Sequence, residues 1–529
     1  HLYKQLYYRK MINLTRRDLQ TRVYFKPGWV YLRMNTSFFL VSYEKCLEVL
    51  DLFTRVKYQS DFLVQWNTRL CRDIIEPMVD KVVEAVLYNQ GIEFEHTSEY
   101  RNIYSYDKLW ESLNHYDPEI VQGRLDNHTK AGLNRSFKNF ARPKEHDLLK
   151  PVSLMGTAEE LFVELGIKGD RSSGLTAYGE TKFEAFASGL DKAVKILTQG
   201  KSPSPCLAGV RTQRKGKTRL VWGYPLEMTI IEAIVARPLI NYFKGEDHLM
   251  SFGKTSHEIG MKMRRSAATT KYHYSIDYSQ FDSTVRSDYI HAAFDAFRTW
   301  FDLDEEIYDG ITVRQVFDVV ERYFITTPIV MPNKAYSNPT LVLGKRRGVP
   351  SGSYFTQVVD SFANAALLFG VAHRFNYSVK EENVYILGDD CLFFMNSEMS
   401  LQQFSNYVSR FGFKMNPAKG SSGPSTQLVE YLGREWRNGF PIRSWSEAVR
   451  GALYPEKYRK YAPESGNRQM EVINLLNSYL LTSYIEDCPI GTKELGQVFM
   501  VSERMSSGFT RYLMKEGLIP GKVFKRAIY

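Results

Sequence analysis

Two kinds of hydrophobic pattern recur along the chain: short apolar runs broken by turn residues, which predict strands, and longer stretches apolar on several faces, which predict helices. VYILGDDCLFFMN, Val384 to Asn396, is a pair of such runs around a Gly-Asp-Asp wedge and predicts a hairpin. YHYSIDYS, Tyr272 to Ser279, has strand composition with an aspartate near its end. ITTPIVMP and TLVLGKRRGVPSG predict a second hairpin whose later arm runs into a turn rich in Gly, Pro and Ser. LVWGYPLEMTIIEAIVARPLI passes from a short strand into a helix, and YFTQVVDSFANAALLFGVAHRF, from Tyr354, is apolar on most faces, as a helix buried between layers would be. DIIEPMVDKVVEAVLYN, Asp73 to Asn89, is amphipathic and predicts a helix. Strands and helices are intermixed, so the pattern predicts an α+β or α/β sheet domain carrying helical subdomains. No internal repeat is present, which excludes a solenoid.

At 529 residues the chain exceeds the size at which one core stops growing, so two or three subdomains are expected. An aromatic share of 14% argues against disorder. Lys and Arg outnumber Asp and Glu by 69 to 59, which suggests a polyanionic partner. The placement of that charge is sharper: Lys201 to Arg219 holds six basic residues and no acidic one. A second excess lies near the C-terminal end, where Arg504, Arg511, Lys515, Lys522, Lys525 and Arg526 face only Glu503 and Glu516. The five cysteines are scattered without a CxxC spacing, so neither a disulfide framework nor a zinc site is expected, and a reducing compartment follows. The first residues, HLYKQLYYRKMINLTRRDLQ, contain no apolar signal core. No apolar run reaches the ~18 residues of a membrane span, so no membrane partner is expected.

The chemistry concentrates in carboxylates. Gly388-Asp389-Asp390 alone could be an ordinary turn. In SIDYSQFDSTV, however, Asp277 ends a predicted strand and Asp282 follows five residues later. If the two strands lie side by side, Asp277 and Asp389 enter one space, and bound cations or protons must relieve their repulsion. Mg²⁺ suits such a site, because it binds through one or two carboxylates and keeps waters and phosphates as other ligands. Two ions about 4 Å apart would activate a hydroxyl nucleophile and stabilise a leaving pyrophosphate. The basic segment RTQRKGKT ends like a nucleotide-binding P-loop, but Arg211 stands where that loop requires glycine, so the match fails.

Taken together, KTRLVWGYPLEMT, SIDYSQFDS, GVPSGSYFTQVVDSFAN and ILGDD resemble the motifs of viral RNA-dependent RNA polymerases, most closely those of partitiviruses, with picobirnavirus polymerases as near relatives. The resemblance covers about Arg211 to Trp436. It implies an α+β right-handed polymerase fold with fingers, an antiparallel palm sheet flanked by helices, and a mostly helical thumb, closed between fingers and thumb. By position it implies an N-terminal extension over 1–95, fingers over 96–235, palm over 236–312, a fingers insertion over 313–349, palm over 350–436 and thumb over 437–529.

The same resemblance implies roles. Asp277 and Asp389 would hold two Mg²⁺ ions, for which Mn²⁺ can substitute, with Asp390 as a weaker contact. Arg211, Lys217 and Arg219 would neutralise the incoming triphosphate. Ser351, Gly352 and Thr356 would line the templating base pair and the ribose. Reverse transcriptases place a bulky side chain where this chain has Asp282, whose carboxylate accepts a hydrogen bond from a 2′-hydroxyl and so favours ribonucleotides. Most positive-strand viral polymerases carry asparagine at the place of Asp360, and Asn364 lies one helical turn on, so either is a candidate partner of Asp282. In FGFKMNPAKG, Lys419 stands where a lysine protonates pyrophosphate, with Lys414 as a rival, and VEYLGREW resembles the hairpin that joins palm to thumb. The implied partners are an RNA template and product duplex, ribonucleoside triphosphates and the viral capsid protein. The implied location is the virion interior within the host cytoplasm.

Overall fold

The computed structural model describes residues 59–73, 79–89, 91, 94, 103–116, 123–213, 216–335 and 339–455, with two short strands, Phe39–Val41 and Tyr484–Glu486, and Ser483 beside the latter. Most of the N-terminal extension, most of the expected thumb and the basic C-terminal run from Arg504 to Arg526 lie outside the described residues.

The predicted strand of Asp277 forms as Tyr272–Ile276, and the predicted Gly-Asp-Asp hairpin as Val384–Leu387 and Asp390–Met395. They join one antiparallel sheet in the order Ser421–Pro424, Tyr272–Ile276, Asp390–Met395, Val384–Leu387. Asp390–Met395 pairs on both sides and is central, which explains why Cys391, Leu392, Phe393, Phe394 and Met395 are all buried. A second sheet of five strands runs Phe39–Val41, Thr340–Leu343, Ile329–Met331, Cys206–Gln213, Lys217–Gly223. It contains the second predicted hairpin, Ile329–Met331 with Thr340–Leu343, and joins it in parallel to Cys206–Gln213. The segment VEYLGREW is a hairpin of Val429–Tyr431 and Arg434–Arg437, extended by Phe440–Ser444.

The two long apolar segments are helices, Leu226–Gly245 and Thr356–Phe375. In the second, every residue from Val358 to Ala372 is buried, because one side meets the Asp389 hairpin and another crosses the helix Asn127–Phe140. That crossing is unusually close. A Cβ on Gly132 would lie 2.3 Å from the Ala366 carbonyl oxygen and 2.5 Å from the Gly370 nitrogen. Backbone atoms cannot rotate away, so Gly132→Val is expected to cost about 1–3 kcal/mol. A urea midpoint unchanged from the parent protein would refute so tight a contact.

Within the Asp73–Asn89 segment the described helix is Lys81–Asn89, and residues 74–78 lie outside the described residues. Asp80 starts it, since its carboxylate accepts the N–H groups of Val82 and Val83 at 3.1 and 3.2 Å, as an N-cap does. Of the cysteines, Cys71, Cys206 and Cys391 are free thiols, while Cys46 and Cys488 lie outside the described residues. Among the described residues no helix is long and apolar enough to cross a membrane.

Candidate active site

Strand register brings the acidic residues together. Cys391 pairs with Ile276 across the antiparallel ladder, so Asp390 and Asp277 are the next residues outward on adjacent strands. In the hairpin, Asp390 pairs with Leu387, which leaves Gly388 and Asp389 as a two-residue loop at the same edge. Gly388 takes φ +65, the left-handed conformation that this loop requires at its first position. The predicted convergence of Asp277, Asp389 and Asp390 is therefore a consequence of pairing, not of a coincidence in a flexible loop.

The helix Thr356–Phe375 fixes this turn from behind. Ser361 Oγ accepts the Gly388 N–H at 2.9 Å, and Asn364 Nδ2 donates to the Gly388 and Asp390 carbonyls at 2.9 and 3.3 Å. Asn364 is 0% exposed. Its amide nitrogen is thus committed to turn backbone that would otherwise be buried without partners, while its Oδ1 makes no hydrogen bond among the described residues. Ser361 was missed by the sequence reading. The available signal was two polar residues three apart on a helix whose other faces are apolar.

Asp360 goes the other way. It is buried, and its carboxyl shares a hydrogen bond with that of Asp282. Burial pushes Asp282 up to about 6, with the charge of Asp389 adding to it. Burial also raises Asp360 well above the usual carboxylate range, with Asp282 and Asp389 adding. Two hydrogen-bonded carboxyls cannot both be ionised, so this pair retains a proton. Of the two candidates for the Asp282 partner, the geometry favours Asp360. The main chain of Asp282 is also held, its carbonyl accepting the Val349 N–H at 2.7 Å, and Tyr116 donates to the Val349 carbonyl at 3.0 Å.

The loop before the helix rests on the second sheet. Ser351 Oγ accepts the Trp222 N–H at 3.1 Å, and a Cβ on Gly352 would lie 1.8 Å from the Trp222 carbonyl oxygen, so only glycine fits there. Ser351 and Gly352 are exposed. Thr356 is half-buried, and its hydroxyl lies 2.7 Å from the Pro350 carbonyl and 2.9 Å from that of Ser353, which ties the loop to the first helical turn. Its oxygen is an internal strut of the loop.

The basic residues occupy one face of the Cys206–Gln213 and Lys217–Gly223 hairpin. Burial alternates along Lys217–Gly223, with Lys217 and Arg219 exposed, and Arg211 pairs directly with Arg219. Like charges set opposite one another are unfavourable unless an anion lies between or above them. The field of Arg219 reaches both Asp282 and Asp389, lowering each. Arg219 therefore faces the carboxylate edge.

Both candidate lysines flank Asp277. The segment after Phe413 zips onto that strand's end, with the Asn416 N–H on the Asp277 carbonyl at 2.9 Å and the Ser279 N–H on the Lys414 carbonyl at 2.8 Å. Lys414 Nζ meets Gln280 Oε1 at 3.3 Å, and Gln280 in turn contacts His115 at 2.7 Å. Lys419 is exposed just before Ser421, which pairs with Ser275. Lys414 is thus engaged with Gln280 while the Lys419 head projects into solvent.

The acidic edge suits a divalent cation. Burial raises Asp389, with the charge of Asp277 adding, and burial pushes Asp390 up to about 7, with Asp389 and Asp277 adding. A cation would relieve this repulsion. Among the described residues no three ligating side chains already close around one point. A Mg²⁺ site needs no such cage, since one or two carboxylates suffice when phosphates and waters complete the shell.

The profile of a family described as viral RNA-dependent RNA polymerase matches residues 203–488. The RNA-directed RNA polymerase of Cryptosporidium parvum virus 1 is 32% identical over 254 residues, 45% of this chain and 45% of that protein. The RNA-directed RNA polymerase of Atkinsonella hypoxylon virus is 33% identical over 120 residues, 21% of this chain and 18% of that protein. The chain thus spans less than half the length of the curated relatives it matches. Among solved structures, an insertion-loop deletion mutant of a human picobirnavirus RNA-dependent RNA polymerase superposes with a TM-score of 0.61 at 14% identity, covering 89% of this chain and 96% of that one. The parent polymerase gives 0.60 at 14% identity, covering 90% and 92%. The fold is that of these polymerases, and with more than half of its length inside the matching profile the chain belongs to the viral RNA-dependent RNA polymerase family.

Proposed function

We propose that this chain copies RNA templates for a double-stranded RNA virus, as an RNA-directed RNA polymerase in replication and transcription. The observation that carries this reading is the register that sets Asp277 beside Asp390 and the Asp389 turn, with Arg219 facing them. Asp277 and Asp389 are the residues that would hold two Mg²⁺ ions, with Asp390 as a weaker contact. Bound there, the metal supplies Lewis acidity to a 3′-hydroxyl and neutralises charge on the leaving pyrophosphate.

The chain's own residues supply the rest. Arg219, with Arg211 and Lys217 beside it, attracts the triphosphate to the carboxylate edge. Asp282 accepts a hydrogen bond from the ribose 2′-hydroxyl. Ser351 and Gly352 support the templating base pair. The 3′-hydroxyl gives up its proton to water as its oxygen bonds to the α-phosphorus and the bond to pyrophosphate breaks, and Lys419 gives a proton to the departing oxygen. In this reading the hand divides into an extension (1–95), fingers (96–235 and 313–349), palm (236–312 and 350–436) and thumb (437–529). The matched relatives are viral enzymes, which supports the capsid protein as a partner and the virion interior as the place of action.

The test is incubation of the purified chain with single-stranded RNA, four ribonucleoside triphosphates and Mg²⁺. A product resistant to single-strand nuclease, lost on chelation and restored by Mg²⁺ or Mn²⁺, is the expected result. Failure to make any such product would defeat the reading. Positioned general acids contribute ~10²- to 10⁴-fold, so Lys419→Ala is expected to slow nucleotide addition about 10²-fold without abolishing it. Lys414→Ala is expected to do less, and the reverse order in single-turnover rates would transfer the role to Lys414.

A further inference from the structure

The helix Leu226–Gly245 carries two acids within an apolar stretch, Glu227 and Glu232, 1% and 0% exposed. Each grips a loop. Glu227 receives the Thr176 hydroxyl and, at 2.9 Å, the Ser204 N–H. Glu232 receives the Ser353 hydroxyl at 2.7 Å and the Tyr354 N–H at 2.8 Å, and Ser353 Oγ in turn accepts the Phe355 N–H at 3.0 Å. Ser353 and Tyr354 follow Ser351 and Gly352 directly and lead into the helix Thr356–Phe375.

The loop is therefore held at two points. Trp222 fixes its tip through Ser351 and the close approach of Gly352, and Glu232 fixes its base. From that base the same helix reaches the carboxylate turn: Gln357 packs against Gly388, and Ser361 bonds the Gly388 N–H. Burial pushes the Glu232 carboxyl up to about 8, against the pull of the Ser353 and Tyr354 hydrogen bonds and the Lys182 ammonium. Near neutral pH its hydrogen bonds, more than its charge, do the holding.

Resting on the reading of the chain as an RNA polymerase, we propose that Glu232 is a positioning residue: through Ser353 and Tyr354 it sets the height of the Ser351–Gly352 loop relative to the Asp389 turn, and thereby the alignment of template and nucleotide during chemistry. Such a residue acts on the rate of the bound complex and not on nucleotide affinity.

The experiment uses the full chain and the variants Glu232→Ala, Glu232→Gln and Ser353→Ala, with single-nucleotide incorporation and amide hydrogen exchange at Tyr354 and Phe355 as readouts. One lost hydrogen bond at a positioning contact corresponds to about tenfold, so Glu232→Ala and Ser353→Ala are each expected to lower kcat about tenfold with KM for nucleotide within about twofold. The double variant is expected to be no slower than Glu232→Ala alone, because both remove one link. Glu232→Gln keeps the shape of a neutral acid and is expected to retain more than about half the rate. Exchange at Tyr354 and Phe355 is expected to quicken about tenfold in both alanine variants and to stay near the parent value in Glu232→Gln. Should Glu232→Ala fail to fold, Ser353→Ala decides alone. Parental kcat and exchange in Ser353→Ala, or a rise in KM at unchanged kcat, would overturn the proposal. If the parent chain makes no RNA, the polymerase reading falls, and the exchange data still show whether Glu232 holds the loop.

Discussion

Asp277→Asn and Asp389→Asn are each expected to lower RNA synthesis at least ~10³-fold while leaving the protein folded and RNA binding within about twofold. The amide matches the carboxylate in size, so packing is unchanged and only charge is removed. Polarising an attacking hydroxyl and a leaving pyrophosphate contributes several kcal/mol, and ~4 kcal/mol corresponds to about 10³ in rate. RNA is gripped mainly through phosphates by basic residues, so its affinity should not follow these aspartates. Stability should move in the opposite direction from activity. Asp390 has its carboxyl raised from the ordinary 3.8 to about 7 by burial and then by Asp389 and Asp277. The folded state therefore disfavours its ionised form, and metal-free protein loses stability as pH rises from about 4 to about 7. Asp390→Asn lacks that loss and is expected to melt higher than the parent at pH 7 in chelator but not at pH 4. Near-normal synthesis by either Asp277→Asn or Asp389→Asn would remove the mechanism's foundation.

Much of this arrangement is legible in the chain because the palm strands are coded locally. Val384 to Asn396 sets two apolar runs around Gly-Asp, a dipeptide that a two-residue loop accommodates, and Tyr272 to Ile276 has no competing pattern, so both elements form. What the sequence carries poorly is which buried backbone a polar side chain will meet. Asp360 and Asn364 lie four apart on one helix and look interchangeable as partners of Asp282. Only the crossing of that helix over the hairpin sends Asn364 to the Gly388 carbonyl and Asp360 to Asp282. The same holds for Thr356, whose hydroxyl turns back onto its own loop, and for Glu232, which sits in an apolar run with nothing nearby in sequence to mark its target more than a hundred positions away. The parallel pairing of Cys206–Gln213 with Ile329–Met331 is hidden for a related reason, since strands distant in sequence find each other through the packing of everything between.

Asp282→Ala is expected to collapse the preference for ribonucleoside over deoxyribonucleoside triphosphates by ~10²- to 10³-fold, while Asp360→Asn leaves it within about threefold. A site built to bond a hydroxyl rejects the analogue lacking it by ~10⁴- to 10⁵-fold, because the protein's buried polar group is then left without a partner. Asp282 meets that description: it is half-buried, and among the described residues its carboxyl bonds that of the buried Asp360. With the retained proton on Asp360, the neighbour donates to Asp282 and leaves the other Asp282 lone pairs for the sugar. Asparagine at 360 donates by its N–H₂ group permanently, so it reproduces the same arrangement without needing a proton. Alanine at 282 removes the acceptor itself, leaves Asp360 buried without its partner, and makes a 2′-hydrogen as acceptable as a 2′-hydroxyl. The measurement is the ratio of kcat/KM for the two nucleotide classes on one RNA template. An unchanged ratio in Asp282→Ala would mean that the sugar is read by a different group, and a collapse in Asp360→Asn would mean that Asp360, not Asp282, is the acceptor.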